Sequence, residues 1–146
     1  MEQQPNHLNV LFSFEGTIIE DFNEERASEW IVDVIKREGS NAAFIQIVFC
    51  NDEYLLDINQ KYLNHDTFTD IITFNYNDEF DGIGGDIFIS IPRIRDNAVT
   101  YRQSFEEELH RVIIHGVLHL LGYDDQDDTS REEMRAKENY YLSLLL

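Results

Sequence analysis

The chain has 146 residues, 42% of them hydrophobic, and a formal net charge of −18 at pH 7. This length suits a single domain, 1–146, with one hydrophobic core, and the hydrophobic content excludes a disordered chain. No apolar run reaches about 18 residues and no charged-then-apolar leader is present, so neither a membrane span nor a secretory signal is expected.

Four strands and five helices are predicted from the spacing of apolar residues and from capping residues. In chain order they are a strand at 8–14, a helix at 24–38, a strand at 43–50, a helix opening at Asn51 or Asp52, strands at 69–76 and 86–91, a helix at 92–103, a helix capped by Ser104, and a last helix from Thr129 or Ser130 to Leu142. This order predicts an α+β or α/β fold. We expect a mixed four-stranded sheet packed with helices, with the helix after Ser104 at its centre.

Local signals support several of these boundaries. Gly39 is expected to end the first helix, and Asn64–Asp66 to end the second. The segment 43–50 is apolar on both faces, which indicates a buried strand, and its last residue, Cys50, is expected to be a buried thiol in a cytoplasmic protein. Pro92 is expected to open a helix. The acidic, glycine-containing stretch 77–85 is predicted to be a loop.

Two histidines, His115 and His119, lie four residues apart in the helix after Ser104. On a helix this spacing puts the two Cβ atoms roughly 5 to 6 Å apart, so both imidazoles can reach one ion. Gly122 can end the helix and return the following aspartates to the histidines. Two imidazoles, one carboxylate and a water form a ligand set known from catalytic zinc and other divalent-metal sites.

The same pair could instead consist of ordinary core or surface histidines. The surrounding helix is apolar on nearly every face, and buried histidines need partners, which favours the metal site. His110 lies about 140° around the helix from His115, which indicates a structural role. The third ligand is left open by spacing alone among four aspartates of the following loop, namely Asp124, Asp125, Asp127 and Asp128. Gly116 occupies the position of the general base in His-Glu-x-x-His proteases, so a peptidase of that design is excluded.

The net charge argues against binding of a polyanion over the whole surface. The basic residues are unevenly placed, however. Arg93, Arg95, Arg102 and Arg111 lie in the run that leads to the histidines, and from 92 to 105 only Asp96 is acidic. A local positive patch and an ordinary solvated helix face both fit this pattern.

The string His-Gly-Val-Leu-His-Leu-Leu-Gly-Tyr-Asp at 115–124 resembles the signature H-G-x-L-H-L-x-G-Y-D-H of the YbeY family of bacterial metal-dependent endoribonucleases. Two strands are similar to further family motifs, 69–74 to T-D-V-L-S-F and 85–90 to G-D-I-x-I-S. The similarity extends over about 57–140. Two positions depart from the family pattern. Asp125 stands where the family has its third histidine, and Leu63 stands where it has an arginine thought to contact RNA.

The resemblance implies a single-strand-specific endoribonuclease that matures the 3′ end of small-subunit ribosomal RNA and acts in ribosome quality control. It places one divalent metal ion, expected to be zinc, on His115, His119 and Asp125. A water acidified by the ion would be the nucleophile, or the ion would polarise a scissile phosphate oxygen. Asp124 is a candidate proton acceptor or a partner that orients a ligand imidazole. The candidate cationic side chains for contacting RNA in its place are Lys61, Arg93, Arg95 and Arg102.

Two other functions are considered. One is a metal-dependent hydrolase of a small or peptidic substrate. The other is a non-catalytic ribosome-assembly factor with a structural metal, in which the acidic surface meets basic small-subunit ribosomal proteins.

Overall fold

The computed structural model describes residues 9–63 and 69–145. Within these ranges, the elements are β1 (Val10–Glu15), α1 (Glu24–Arg37), β2 (Ala42–Cys50), α2 (Asp52–Leu63), β3 (Ile71–Asn75), a short 3₁₀ helix (Asn77–Glu79), β4 (Ile83–Ser90), α3 (Ile91–Tyr101), α4 (Phe105–Leu120) and α5 (Asp128–Leu145). The predicted α+β class and element order are confirmed. Leu8 of the first predicted strand and the predicted break at Asn64–Asp66 lie outside the described residues.

The four strands form one mixed sheet in the order β1-β2-β4-β3. β1, β2 and β4 run parallel, with Phe12 opposite Ile47 and Ile47 opposite Ile87. β3 is the antiparallel edge strand, where Thr73 pairs with Ile87. Parallel neighbours require crossover connections, and α1 supplies the one between β1 and β2.

Side chains alternate between the two faces of β2, and both faces are covered. Ile45, Ile47 and Phe49 are fully buried in the main core beneath α1, α4 and α5. Val48 and Cys50 point to the opposite face, where they pack with residues of α2 in a smaller cluster. A strand covered on both faces shows a continuous apolar run rather than alternation. The expectation that this strand is buried on both faces is therefore confirmed for its C-terminal half, whereas Phe44 near its start is 39% exposed.

α4 lies close against the sheet at Gly116. A Cβ atom at this position would come within 2.9 Å of Ile71 Cδ1 and 3.0 Å of Ile87 Cγ2. The helix begins at the predicted cap, where Ser104 Oγ accepts a hydrogen bond from Glu107 N at 3.0 Å. The close approach of α4 to the sheet at Gly116 sets how far the histidines of this helix lie above β3 and β4.

Most predicted boundaries differ from the structure by one or two residues, and β3 is shorter than predicted at Ile71–Asn75. Three elements begin or end outside their predicted range for reasons of packing or pairing. β4 begins at Ile83, inside the predicted loop 77–85, because Gly85 pairs with Ile45 of β2 and also with Asn75 of β3. α3 begins at Ile91, one residue before Pro92, and its cap is Ser90. α5 continues beyond Leu142 to Leu145, which is buried. In each case tertiary packing or pairing extends the element.

None of the described helices is both long enough and apolar enough to cross a bilayer.

Candidate metal centre

The histidine pair of α4 is arranged as its spacing predicts. His119 Nε2 lies 3.0 Å from His115 Nε2, and the two rings are nearly perpendicular. The side chains are 23% and 27% exposed, so the two nitrogens lie at a partly open surface rather than in the core. Both imidazoles therefore direct one nitrogen to the same point.

The chain reverses directly after α4 and returns a carboxylate to this point. Gly122 adopts a positive φ of 106°, and Tyr123 N donates a hydrogen bond to Leu118 O at 3.0 Å. Such a left-handed residue past the helix end favours glycine. Asp125 Oδ2 then lies 3.4 Å from His115 Nε2 and 3.7 Å from His119 Nε2.

These three donor atoms fit a divalent ion. One ligand atom from each of His115, His119 and Asp125 lies within 4.8 Å of the other two, and within the described residues this is the only such group of histidine, cysteine or acidic side chains. Ligands at about 2.1 Å from a tetrahedral ion are about 3.4 Å apart, close to the separations found. Three protein ligands leave a coordination position for water or substrate.

Glu138 of α5 orients the first histidine. Its Oε2 lies 2.7 Å from His115 Nδ1, and its Oε1 accepts a hydrogen bond from Arg111 Nη1 at 3.1 Å. The carboxylate is 5% exposed. Because Nδ1 is occupied by Glu138, Nε2 is the nitrogen that faces Asp125.

The hydrogen bond and the charges between Glu138 and His115 favour the ionised form of the Glu138 carboxylate. Burial alone raises the pKa of Glu138, but the hydrogen bond and charge of His115, helped by Arg111, outweigh it and hold the pKa below its usual value. Burial likewise tends to lower the pKa of His115, and the hydrogen bond and charge of Glu138 reverse this. The two side chains therefore stabilise each other in the buried layer between α4 and α5.

The orienting role of Glu138 was missed by the sequence analysis, although a signal for it exists. The buried face of α5 carries Met134, Tyr141, Leu142 and Leu145, and Glu138 is the one acidic residue on that face. A carboxylate among buried apolar residues needs a hydrogen-bonding or charged partner. Arg111 and His115 of α4 are two side chains that can serve as that partner.

Asp124 is not one of the three grouped donor residues. Its Oδ1 accepts a hydrogen bond from Gln126 N at 3.1 Å, and its side chain is exposed. It lines a separate surface depression with Glu38, Tyr123 and Ser130. The structure therefore brings Asp125, not Asp124, together with the histidines.

The candidate RNA-contacting arginines have different surroundings. Arg93 Nε lies 3.2 Å from Asp52 Oδ1, Arg95 lies over the Phe105 ring at 5.4 Å, and Arg102 is the exposed left-handed cap of α3. The side chain of Arg111 is 12% exposed and bonds Glu138, so it adds nothing to a surface patch.

The chain is similar to known proteins over most of its length. The family model described as Endoribonuclease YbeY matches residues 14–145. Proteins named Endoribonuclease YbeY from Amoebophilus asiaticus and Flavobacterium psychrophilum are 44% and 48% identical to this chain, over 92% of its length and 91% and 96% of theirs. The solution structure of TM1509 from Thermotoga maritima superimposes with a TM-score of 0.64 at 26% identity, covering 90% of this chain and 86% of that one. The sequence and the fold together place this chain in the YbeY endoribonuclease family.

Proposed function

We propose that this protein is a single-strand-specific, metal-dependent endoribonuclease that hydrolyses phosphodiester bonds. Its substrate in this proposal is the 3′ region of small-subunit ribosomal RNA, and it takes part in ribosome quality control. The observation that carries the proposal is the convergence of His115 Nε2, His119 Nε2 and Asp125 Oδ2 within 4.8 Å at a partly open surface. Family membership supplies the reaction class.

The three donor residues would hold the ion, and Glu138 would keep the His115 ring in the orientation that presents Nε2. A divalent ion bound there supplies Lewis-acid chemistry, by polarising a phosphate oxygen or by making water a stronger nucleophile at neutral pH. Asp124 is exposed beside the site and is our candidate for accepting a proton.

The proposed ion is one zinc per chain. Two imidazoles and one carboxylate are a set that catalytic zinc uses. The carboxylate of Asp125 is a harder, anionic donor than an imidazole, so this set also accommodates manganese or magnesium better than three histidines would.

RNA binding must be local in a chain with a net charge of −18. We propose that Arg93, Arg95 and Arg102, which lie along α3 and its C-terminal cap, bind backbone phosphates of the RNA. α3 packs beside α4, which bears the histidines. Replacing any one of these arginines with alanine should reduce the slope of log affinity against log salt by about 1.

The charge also supports a second candidate, a ribosome-assembly role in which the acidic surface binds basic small-subunit ribosomal proteins. A cytoplasmic location suits both candidates. Burial raises the pKa of the Cys50 thiol to about 12, so the free cysteine is unreactive and compatible with a reducing compartment.

Metal content measured by mass spectrometry, paired with cleavage of unstructured and duplex RNA, tests the proposal. Wild-type protein should retain about one divalent ion per chain. His119→Ala and Asp125→Ala should lose both the ion and RNA cleavage while keeping the circular dichroism spectrum. Asp124→Ala is the matched control for metal binding, because it removes an adjacent exposed carboxylate. Loss of cleavage in Asp124→Ala, with metal retained, would support its role as the proton acceptor.

The two candidates give different results in the same variants. Binding to basic ribosomal proteins that survives His119→Ala, in a protein that never cleaves RNA, would replace the nuclease proposal by the assembly role. A wild-type protein that takes up no metal on titration would overturn the proposed site itself.

A further inference from the structure

The segment between α4 and α5 that carries Asp125 has little structure of its own. It runs from Leu121 to Asp127. The backbone hydrogen bonds that end α4 reach as far as Tyr123 N, and those between Asp127 and Ser130 begin α5, so Asp124 to Gln126 lie between the two helix ends. The backbone carbonyl of Asp125 accepts a long contact of 3.3 Å from Arg131 Nη1, a side chain on the exposed side of α5. The position of the Asp125 carboxylate therefore depends on what holds the rest of the segment.

The segment is held by the carboxylate of a residue far earlier in the chain. Glu38, the C-cap residue of α1, accepts a hydrogen bond from Tyr123 OH at 2.6 Å, and its side chain is 11% exposed. The same carboxylate accepts hydrogen bonds from Lys137 Nζ at 3.1 Å and from Tyr141 OH, both on α5. Lys137 also lies over the Tyr123 ring, 5.7 Å from its centroid. We refer to these four residues as the Glu38 cluster.

The electrostatics of the cluster keep Glu38 charged. Burial tends to raise the pKa of Glu38, but the hydrogen bonds from Tyr123, Tyr141 and Lys137 outweigh it and leave the pKa below its usual value. The hydrogen bond to Glu38, followed by burial, raises the pKa of Tyr123, so the phenol remains a donor at neutral pH. Hydrogen bonds to a charged acceptor are stronger than neutral ones.

We propose that Glu38, acting through Tyr123, is a positioning residue for Asp125. This inference rests on the proposed metal site. Tyr123 is two residues before Asp125, so fixing its ring leaves only Asp124 and the Asp125 backbone free between the anchor and the ligand. Without the anchor, the segment samples positions in which Asp125 Oδ2 is far from the histidines, and metal binding must then also restrict that freedom. The expected result is a weaker metal site.

Two matched variants separate positioning from general stability. Tyr123→Phe and Tyr141→Phe each remove one phenol hydroxyl from the same carboxylate, but only Tyr123 lies in the segment that carries Asp125. Tyr123 is half-buried, and phenylalanine preserves its ring packing. The zinc dissociation constant, measured by competition with a chelator, should rise by about tenfold in Tyr123→Phe, the size of effect known for groups that support metal ligands. It should change by less than about twofold in Tyr141→Phe, although both variants should melt at lower temperature.

A double-mutant cycle then tests the route through Asp125. In an Asp125→Ala background, Tyr123→Phe should have no further effect on the zinc dissociation constant. An equal effect with and without Asp125 would overturn the positioning role. So would an unchanged affinity in Tyr123→Phe when Asp125→Ala alone weakens binding. If Asp125→Ala leaves zinc affinity unchanged, the proposed ligand set itself has failed, and the positioning role fails with it.

Discussion

Glu138 Oε2 and His115 Nδ1 lie 2.7 Å apart, in a layer between α4 and α5 where the glutamate is 5% exposed. The contact fixes which imidazole nitrogen faces the candidate ligand position. Glu138→Gln keeps the size of the side chain but replaces a charged acceptor with a neutral one. We expect zinc affinity to fall by about 10- to 100-fold. Chelator competition measures this change, and excess metal should restore RNA cleavage.

Glu132→Gln provides the control for this variant. It removes one negative charge from an exposed residue of the same helix that borders the same surface depression as His115. Zinc affinity should be nearly unchanged if the hydrogen bond of Glu138 is what matters. An equal loss of affinity in both variants would indicate a general electrostatic effect and contradict the orienting role.

Asp125→His introduces the donor that the family signature has at this position. Imidazole suits zinc, whereas a carboxylate also suits magnesium and manganese. The ratio of zinc to manganese affinity should therefore rise, by about tenfold or more. Isothermal titration with each metal measures the ratio, and no change in it would show that Asp125 does not set metal preference.

Gly85→Ala tests how closely α4 and β3 pack. A Cβ there would lie 2.5 Å from Phe74 O and 2.8 Å from Leu120 Cδ2, and the backbone oxygen cannot move without disturbing β3. We expect a loss of about 1–3 kcal/mol in the free energy of unfolding, measured in urea. Gly84→Ala is the control, because the atoms it would meet belong to the Phe80 ring, which is 40% exposed and can swing outward. A similar loss in both variants would contradict this packing argument.

His110 should make stability depend on pH. Burial lowers its pKa below the ordinary value of 6.5, although its hydrogen bond to Glu106 O partly opposes this. At pH values between the pKa of His110 in the folded protein and 6.5, the unfolded state binds the proton more readily than the folded state. The stabilisation from neutral, buried His110 is therefore complete above pH 6.5 and is lost as the pH falls. His110→Gln should therefore flatten the dependence of unfolding free energy on pH between about 7 and 5, measured in chelator. If the unfolding free energy of His110→Gln depends on pH as steeply as that of the wild type, other titrating groups cause the dependence.

The parts of the fold that depend on local pattern could be predicted. The continuous apolar run of β2 and the Ser104 cap of α4 both follow from short-range rules, and the structure has them as expected. The start of β4 could not be predicted in this way. Gly84 and Gly85 favour a loop by composition, but pairing to two neighbouring strands places them in the sheet.

The candidate site likewise has residues that local sequence patterns predict and residues that only tertiary packing brings in. The separation of His115 from His119 and the reversal at Gly122 are local, so spacing indicates the two histidines and an aspartate of the following loop. The choice of Asp125 among the four aspartates comes from the resemblance to the family. The supports come from farther along the chain. Glu138 is 23 residues from His115, and Glu38 is 85 residues from Tyr123. No spacing rule relates residues so far apart, and only the packing of α1 and α5 around α4 brings them together.

The position of α5 has a consequence for the order of events during synthesis. A chain emerging from the ribosome exposes His115, His119 and Asp125 before Glu138 has left the exit tunnel. Until α5 docks, the first histidine lacks its orienting carboxylate, and Lys137 and Tyr141 are absent from the Glu38 cluster. A nascent chain would therefore hold metal weakly, and full affinity would arise only after the last helix has been released and packed.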